Sequence, residues 1–178
     1  MMVDAAGHVD AARHVASPNC DDRPEGEAVT LLVIHNISLP PGEFGGDGVE
    51  RLFTNGLDSD AHPYYLTLAG VRVSAHFFIR RTGELLQFVA CAKRAWHAGE
   101  SAWRGRSRCN EFSIGIELEG VDNAPYADVQ YRVLAELTRA LRSAYPIVDI
   151  AGHSDIAPSR KTDPGPGFDW PFYRGLIG

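Results

Sequence analysis

Val29 to Ile37, VTLLVIHNI, is an apolar run rich in branched residues and without polar alternation; it carries His35 and Asn36 near its end. Such a run suits a strand buried on both faces. The chain must therefore supply strands beside it and layers above and below it. A second strand is written in FSIGIELEG. There Phe112, Ile114, Ile116 and Leu118 point one way, and Ser113, Gly115, Glu117 and Glu119 the other. VSAHFFIRRTGELLQFV reads as a hairpin turning at Arg81 to Glu84, and Ile147 to Ala151 as a last strand.

Between these strands lies one clear helix, Tyr126 to Tyr145. Its apolar positions Val129, Val133, Leu137 and Leu141 recur every four residues, Leu134 widens the stripe, and Pro146 stops it. A shorter helix is expected over Gly48 to Asn55, begun by Asp47. The sum is an α/β chain, a single domain with a central mixed β-sheet flanked by helices. At 178 residues the chain is long enough for one core. Residues 1–28 read as an N-terminal arm and residues 29–178 as the domain.

A net charge of −6 argues against nonspecific nucleic-acid binding. No apolar stretch is long enough for a membrane span, and the N-terminal residues do not read as a secretory leader. Cys20, Cys91 and Cys109 are odd in number and lack CxxC spacing, which fits free thiols in a reducing cytoplasm.

The loop AGHSDIAPSRKTDPGPGFDW is polar yet held by Pro158, Pro164 and Pro166. His35 lies at the end of one strand and His153 just past another, where a sheet aims side chains into a crevice. Asp163 is the natural third ligand for a zinc site with an open position, and prolines would preorganise it. The blander reading competes closely: a histidine at a strand end is more often a hydrogen-bonded rim residue. Glu117 and Glu119 share a face that is either solvated or, given the room at Gly115, a pocket wall; Glu117 lies deeper and is preferred as a general base. Lys161 is a solvated charge or an oxyanion donor. Arg72, Arg104, Arg106 and Arg108 either line a basic pocket or are solvated, and Trp96 and Trp103 either pack or stack on a ligand. His76 reads as a core or pocket residue, and His62 and His97 as loop histidines.

LLVIHNISLPPGEFGG, HPYY, RVSAHFFIRRTGELLQFV, KRAWHAG, RGRSRCNEFSIGIELEG and GHSDIAPSRKTDPGPGFDW, in this order, resemble the AmpD-type cytoplasmic amidases of bacterial cell-wall recycling. These anhydro-N-acetylmuramoyl-L-alanine amidases belong to a zinc amidase superfamily that includes phage lysozyme-like amidases and peptidoglycan recognition proteins. The likeness spans about Arg13 to Trp170. It implies one zinc ion per chain on His35, His153 and Asp163, with Glu117 as general base and Lys161 holding the oxyanion. It implies substrate contacts from Asn36, Arg72, Trp96 and Arg108. The substrate implied is an anhydromuropeptide, cut between the lactyl group and L-Ala by a cytoplasmic monomer without nucleic-acid or membrane partners. Ser154 occupies a position expected to vary between Cys and Ser and is not a ligand. Three rivals stand beside this reading: a non-catalytic module that binds peptidoglycan fragments, a zinc peptidase acting within the stem, and a structural zinc site, for which the motif offers no good fourth ligand.

Overall fold

The computed structural model describes residues 1–178. Its centre is a six-stranded mixed sheet in the order β1–β5–β4–β9–β3–β10. The strands are β1 (Arg13–His14), β3 (Leu31–Ile37), β4 (Phe77–Ile79), β5 (Leu85–Gln87), β9 (Ser113–Glu119) and β10 (Asp149–Gly152). All neighbours run parallel except β4 and β5, the expected hairpin. Its turn is closed by Gly83 N–H donating to Arg80 O at 2.9 Å, with Gly83 at φ 87°. Two small ribbons lie outside the sheet, β2 (Cys20–Asp22) with β6 (Lys93–Ala95) and β7 (Ala102–Trp103) with β8 (Arg106–Ser107).

Alternation along β3 divides the core. Leu32 and Ile34 join Ile114, Ile116 and Leu118 of β9 on one face. There they meet Leu134, Leu137 and Leu141 of α3 (Asp128–Ala144) and Tyr173 of α5 (Trp170–Ile177). Leu31 and Val33 face the other way, toward Cys109, Phe112 and Ile156. Beside them Phe78 and Leu86 share a cluster with Leu52 and Phe53 of α1 (Gly48–Phe53) and Tyr65 of α2 (Pro63–Leu66). His35 and Glu117 follow the same alternation, so both project from the sheet face opposite α3.

The helix stripe differs from the four-residue repeat read in the sequence. Val129 is 38% exposed, and the buried face is Gln130, Tyr131, Leu134, Leu137, Thr138 and Leu141. Four residues overshoot a turn by about 40°, so a strict four-residue repeat drifts off the face over three steps. Gln130, fully buried, ties the helix start to the sheet by donating to Ile79 O and Glu119 O at 3.1 Å each. Phe112 also departs from its expected face. It ends a 3-10 turn, Cys109–Glu111, and packs beneath the Arg106 guanidinium at 4.0 Å. β-Alternation begins only at Ser113.

The first 28 residues dock along the sheet edge. Val9 N–H donates to Gln87 Oε1 at 2.8 Å, and Gln87 Nε2 donates to Gly7 O at 2.7 Å. Arg23 is a stronger fastening. Its guanidinium donates to Cys91 O, Asn110 O, Glu111 O and Ser113 O over 2.8–3.2 Å. Burial pulls its pKa down to about 10, so it stays charged at neutral pH. Arg23→Ala would strand these carbonyls, and a loss of about 2–4 kcal/mol is expected in urea denaturation. An unchanged midpoint would show that water replaces the guanidinium. All three cysteines are unpaired, and no helix is long and apolar enough to cross a membrane.

Candidate functional site

Parallel pairing brings the two histidines together. β10 runs beside β3 with Gly152 opposite Ile34, so His153, the next residue, arrives level with His35. There the strand breaks into a single helical turn, α4 (His153–Ile156), whose Asp155 carboxylate accepts from Gly152 N–H at 2.7 Å. The proline-held loop then returns. Ser154 N–H donates to Asp163 O at 2.8 Å, and this bond sets the Asp163 carboxylate against both rings. His35 Nδ1 and His153 Nδ1 lie 2.9 Å apart, and each lies 3.1 Å from Asp163 Oδ2.

Three polar atoms at such distances need a proton or a cation between them. His153 Nε2 lies 3.1 Å from Ala98 O, which can only accept, so that nitrogen carries the ring proton. His153 Nδ1 therefore turns a lone pair toward an anionic carboxylate, a contact that is repulsive without a cation. Two imidazoles and one carboxylate are a zinc-type donor set with room for a further ligand, and the 2.9–3.1 Å edges approach those of a tetrahedron with bonds of about 2.0 Å. Burial pulls the His35 pKa down to about 4, which keeps the ring neutral and able to ligate.

Glu117 stands across from His35 in the β3–β9 register. It is 8% exposed, and its Oε2 has no hydrogen-bond partner. Burial, reinforced by the Asp163 charge and opposed by Lys161, pushes this carboxyl well above the usual carboxylate range. Lys161 and Glu117 both line a cavity of about 460 Å³ whose floor holds the three donor atoms. A buried carboxyl with free oxygens beside a cation site can take up and return a proton.

The family model for N-acetylmuramoyl-L-alanine amidases matches residues 25–166. This chain belongs to that family. The amidase is 56% identical over 178 residues to the 1,6-anhydro-N-acetylmuramyl-L-alanine amidase AmpD of Salmonella typhimurium, covering 99% of this chain and 95% of that protein. A crystal structure of a selenomethionine AmpD derivative superposes with a TM-score of 0.97 at 55% identity over the whole of both chains. AmiD from Escherichia coli, solved with anhydro-N-acetylmuramic acid-L-Ala-D-gamma-Glu-L-Lys, matches at 29% identity and TM-score 0.60, covering 98% of this chain and 65% of that one.

The other residues singled out in the sequence are placed unevenly in the amidase. Trp96 lines the cavity. Asn36 does too, but its Nδ2 is engaged, donating to Asp122 Oδ1 at 2.7 Å and Pro164 O at 3.1 Å. It thus braces the segment carrying Asp163. Arg72 is exposed beside Val73, a wall residue, and is not itself in the wall. Arg108 pairs with Glu111 at 2.7 Å, outside the cavity. Arg104 and Arg106 pair with Asp149 and Glu27, so of the two readings the basic lining is absent, and Lys161 is the one Lys or Arg in the wall. Arg104, Arg106 and Arg108 each find an acid outside the cavity, which spacing in the chain does not reveal. Trp103 packs against the core and donates Nε1–H to Asp149. Glu119, buried, accepts from Gly45 and Arg81 N–H groups, so the face it shares with Glu117 is not solvated. Tyr64, Asp122 and His97 are wall residues that the sequence reading did not single out as functional. For His97 a signal existed: the gap at Gly115 on an otherwise bulky strand.

Proposed function

We propose that this amidase hydrolyses the amide between the lactyl group of 1,6-anhydro-N-acetylmuramic acid and L-Ala of the stem peptide, in cytoplasmic peptidoglycan recycling. The observation that carries the reading is the convergence of His35, His153 and Asp163 beside the unpartnered Glu117 carboxyl at the floor of one cavity. Likeness to AmpD over the whole chain supports the choice of substrate, as does the anhydromuropeptide bound in the AmiD relative. The unpaired cysteines agree with a reducing compartment.

One zinc ion per chain, held by the two Nδ1 atoms and Asp163 Oδ2, would supply Lewis acidity toward the scissile carbonyl and a water of lowered pKa. Glu117 takes a proton from the attacking water as its oxygen bonds to the lactyl carbonyl carbon. The raised pKa of its carboxyl lets it hold that proton until the C–N bond breaks, then deliver it to the departing L-Ala nitrogen. Lys161 donates to the oxygen that becomes negative in the tetrahedral species. Trp96 packs on the muropeptide, and the Asn36 amide, already braced by Asp122, presents its oxygen to the substrate. Arg72 or Arg108, exposed outside the cavity wall, meets a carboxylate of the peptide.

The bond cut decides between this reading and a stem peptidase. Purified protein is incubated with anhydromuropeptide, and the new N-terminus is identified by mass spectrometry. Free L-Ala-terminated stem peptide is expected. An internal N-terminus would establish the peptidase, and intact substrate would point to a binding module.

A further inference from the structure

His97 enters the site between the sheet and a metal ligand. Its Nδ1 lies 2.9 Å from His35 Nε2, and its own Nε2 lies 3.2 Å from Ser113 Oγ. The ring rests on Gly115. A Cβ there would clash with His97 Cγ and Nδ1, so any side chain at 115 would displace the imidazole. The Gly115 amide is itself oriented, donating to His76 Nδ1 at 3.1 Å. β9 therefore holds a glycine where this ring needs room and a serine where it needs an anchor.

The row has a direction. Ser113 Oγ lies 2.6 Å from Cys109 O, which can only accept. The hydroxyl proton goes to that carbonyl, the shorter of its two contacts, and leaves an oxygen lone pair for His97. His97 Nε2 then carries a proton and its Nδ1 a lone pair. That lone pair accepts from His35 Nε2–H, and His35 is left with an unprotonated Nδ1 facing His153 and Asp163. Reversing the row would put a proton on His35 Nδ1, where a metal must bind.

We propose that His97, anchored by Ser113 and seated on Gly115, is a positioning residue that fixes the Nε2–H tautomer of His35 and so presents His35 Nδ1 to the metal. The proposal rests on the zinc reading of the site. A ligating histidine owes its orientation and basicity to the partner of its second nitrogen, and losing such a partner weakens metal binding by about 10- to 100-fold.

The test pairs spectroscopy with affinity on the full chain. Long-range 1H–15N spectra of zinc-loaded protein report each histidine's tautomer, with the His97 ring assigned in the wild type by through-bond correlation to its own backbone. Competition with a chromophoric chelator gives the zinc Kd. The expected results are an Nε2–H tautomer for His97 and a zinc Kd about 10- to 100-fold weaker in His97→Phe and Ser113→Ala. His97→Gln, whose amide oxygen can accept from His35, should recover part of the loss. An Nδ1–H tautomer in the wild type overturns the proposal even if every variant misfolds. So does a Kd unchanged in folded His97→Phe. If the wild type takes up no zinc, the metal reading fails first and the proposal falls with it.

Discussion

Glu117→Gln is expected to lower turnover by about 10²- to 10⁴-fold while leaving metal uptake at one ion per chain. The substitution keeps the shape of the side chain and removes only its ability to take a proton. The same variant should be more stable than the wild type once both are stripped of metal. A carboxyl whose folded pKa is raised binds its proton more tightly in the folded state. That contribution is complete below the unfolded value of about 4.5 and is lost as pH rises toward the folded pKa. At neutral pH the wild type therefore carries a buried, unpartnered carboxyl that the amide does not. A melting point higher by about 2–4 °C for each kcal/mol relieved is expected at pH 7, with the gap closing below pH about 4.5. Equal melting points at pH 7 would mean that Glu117 is solvated in solution, and retained turnover would remove it from the chemistry.

Lys161→Met is the second large effect. It keeps the aliphatic stem and removes the one Lys or Arg in the cavity wall. Loss of a donor that acts on developing negative charge should lower kcat by about 10²- to 10³-fold, with KM and zinc content little changed. The Lys161 charge also opposes the upward push on Glu117, so its loss should move the acid limb of the kcat/KM profile to higher pH. A defect confined to KM would make Lys161 a substrate-binding group instead.

The strands that place the site were legible because their patterns have simple causes. VTLLVIHNI is apolar on both faces because both are covered, and FSIGIELEG alternates from Ser113 on because one face meets α3 and the other carries buried polar contacts and turns Glu117 to the cavity. What the pattern could not carry was register. Whether Gly152 stands beside Ile34, and so whether His153 meets His35, depends on pairing between segments more than a hundred residues apart. Spacing alone therefore left the ligand set open, and the family resemblance named it. In sequence His97 reads as a loop histidine because its partners, Ser113 and Gly115, lie on another element. Arg23 and Gln130 were missed for a related reason: a polar residue that satisfies buried carbonyls looks, in sequence, like any polar surface residue.

Metal content and product, measured together, reach the core of the proposed function. Zinc is counted by mass spectrometry in wild type and Asp163→Ala, and each is assayed for stem peptide released from anhydromuropeptide. The expected result is one zinc and L-Ala-terminated product in the wild type, both lost in the variant. Chelator-stripped wild type should regain activity when zinc returns. Full activity in metal-free wild type, or in Asp163→Ala, would contradict a zinc site built from His35, His153 and Asp163.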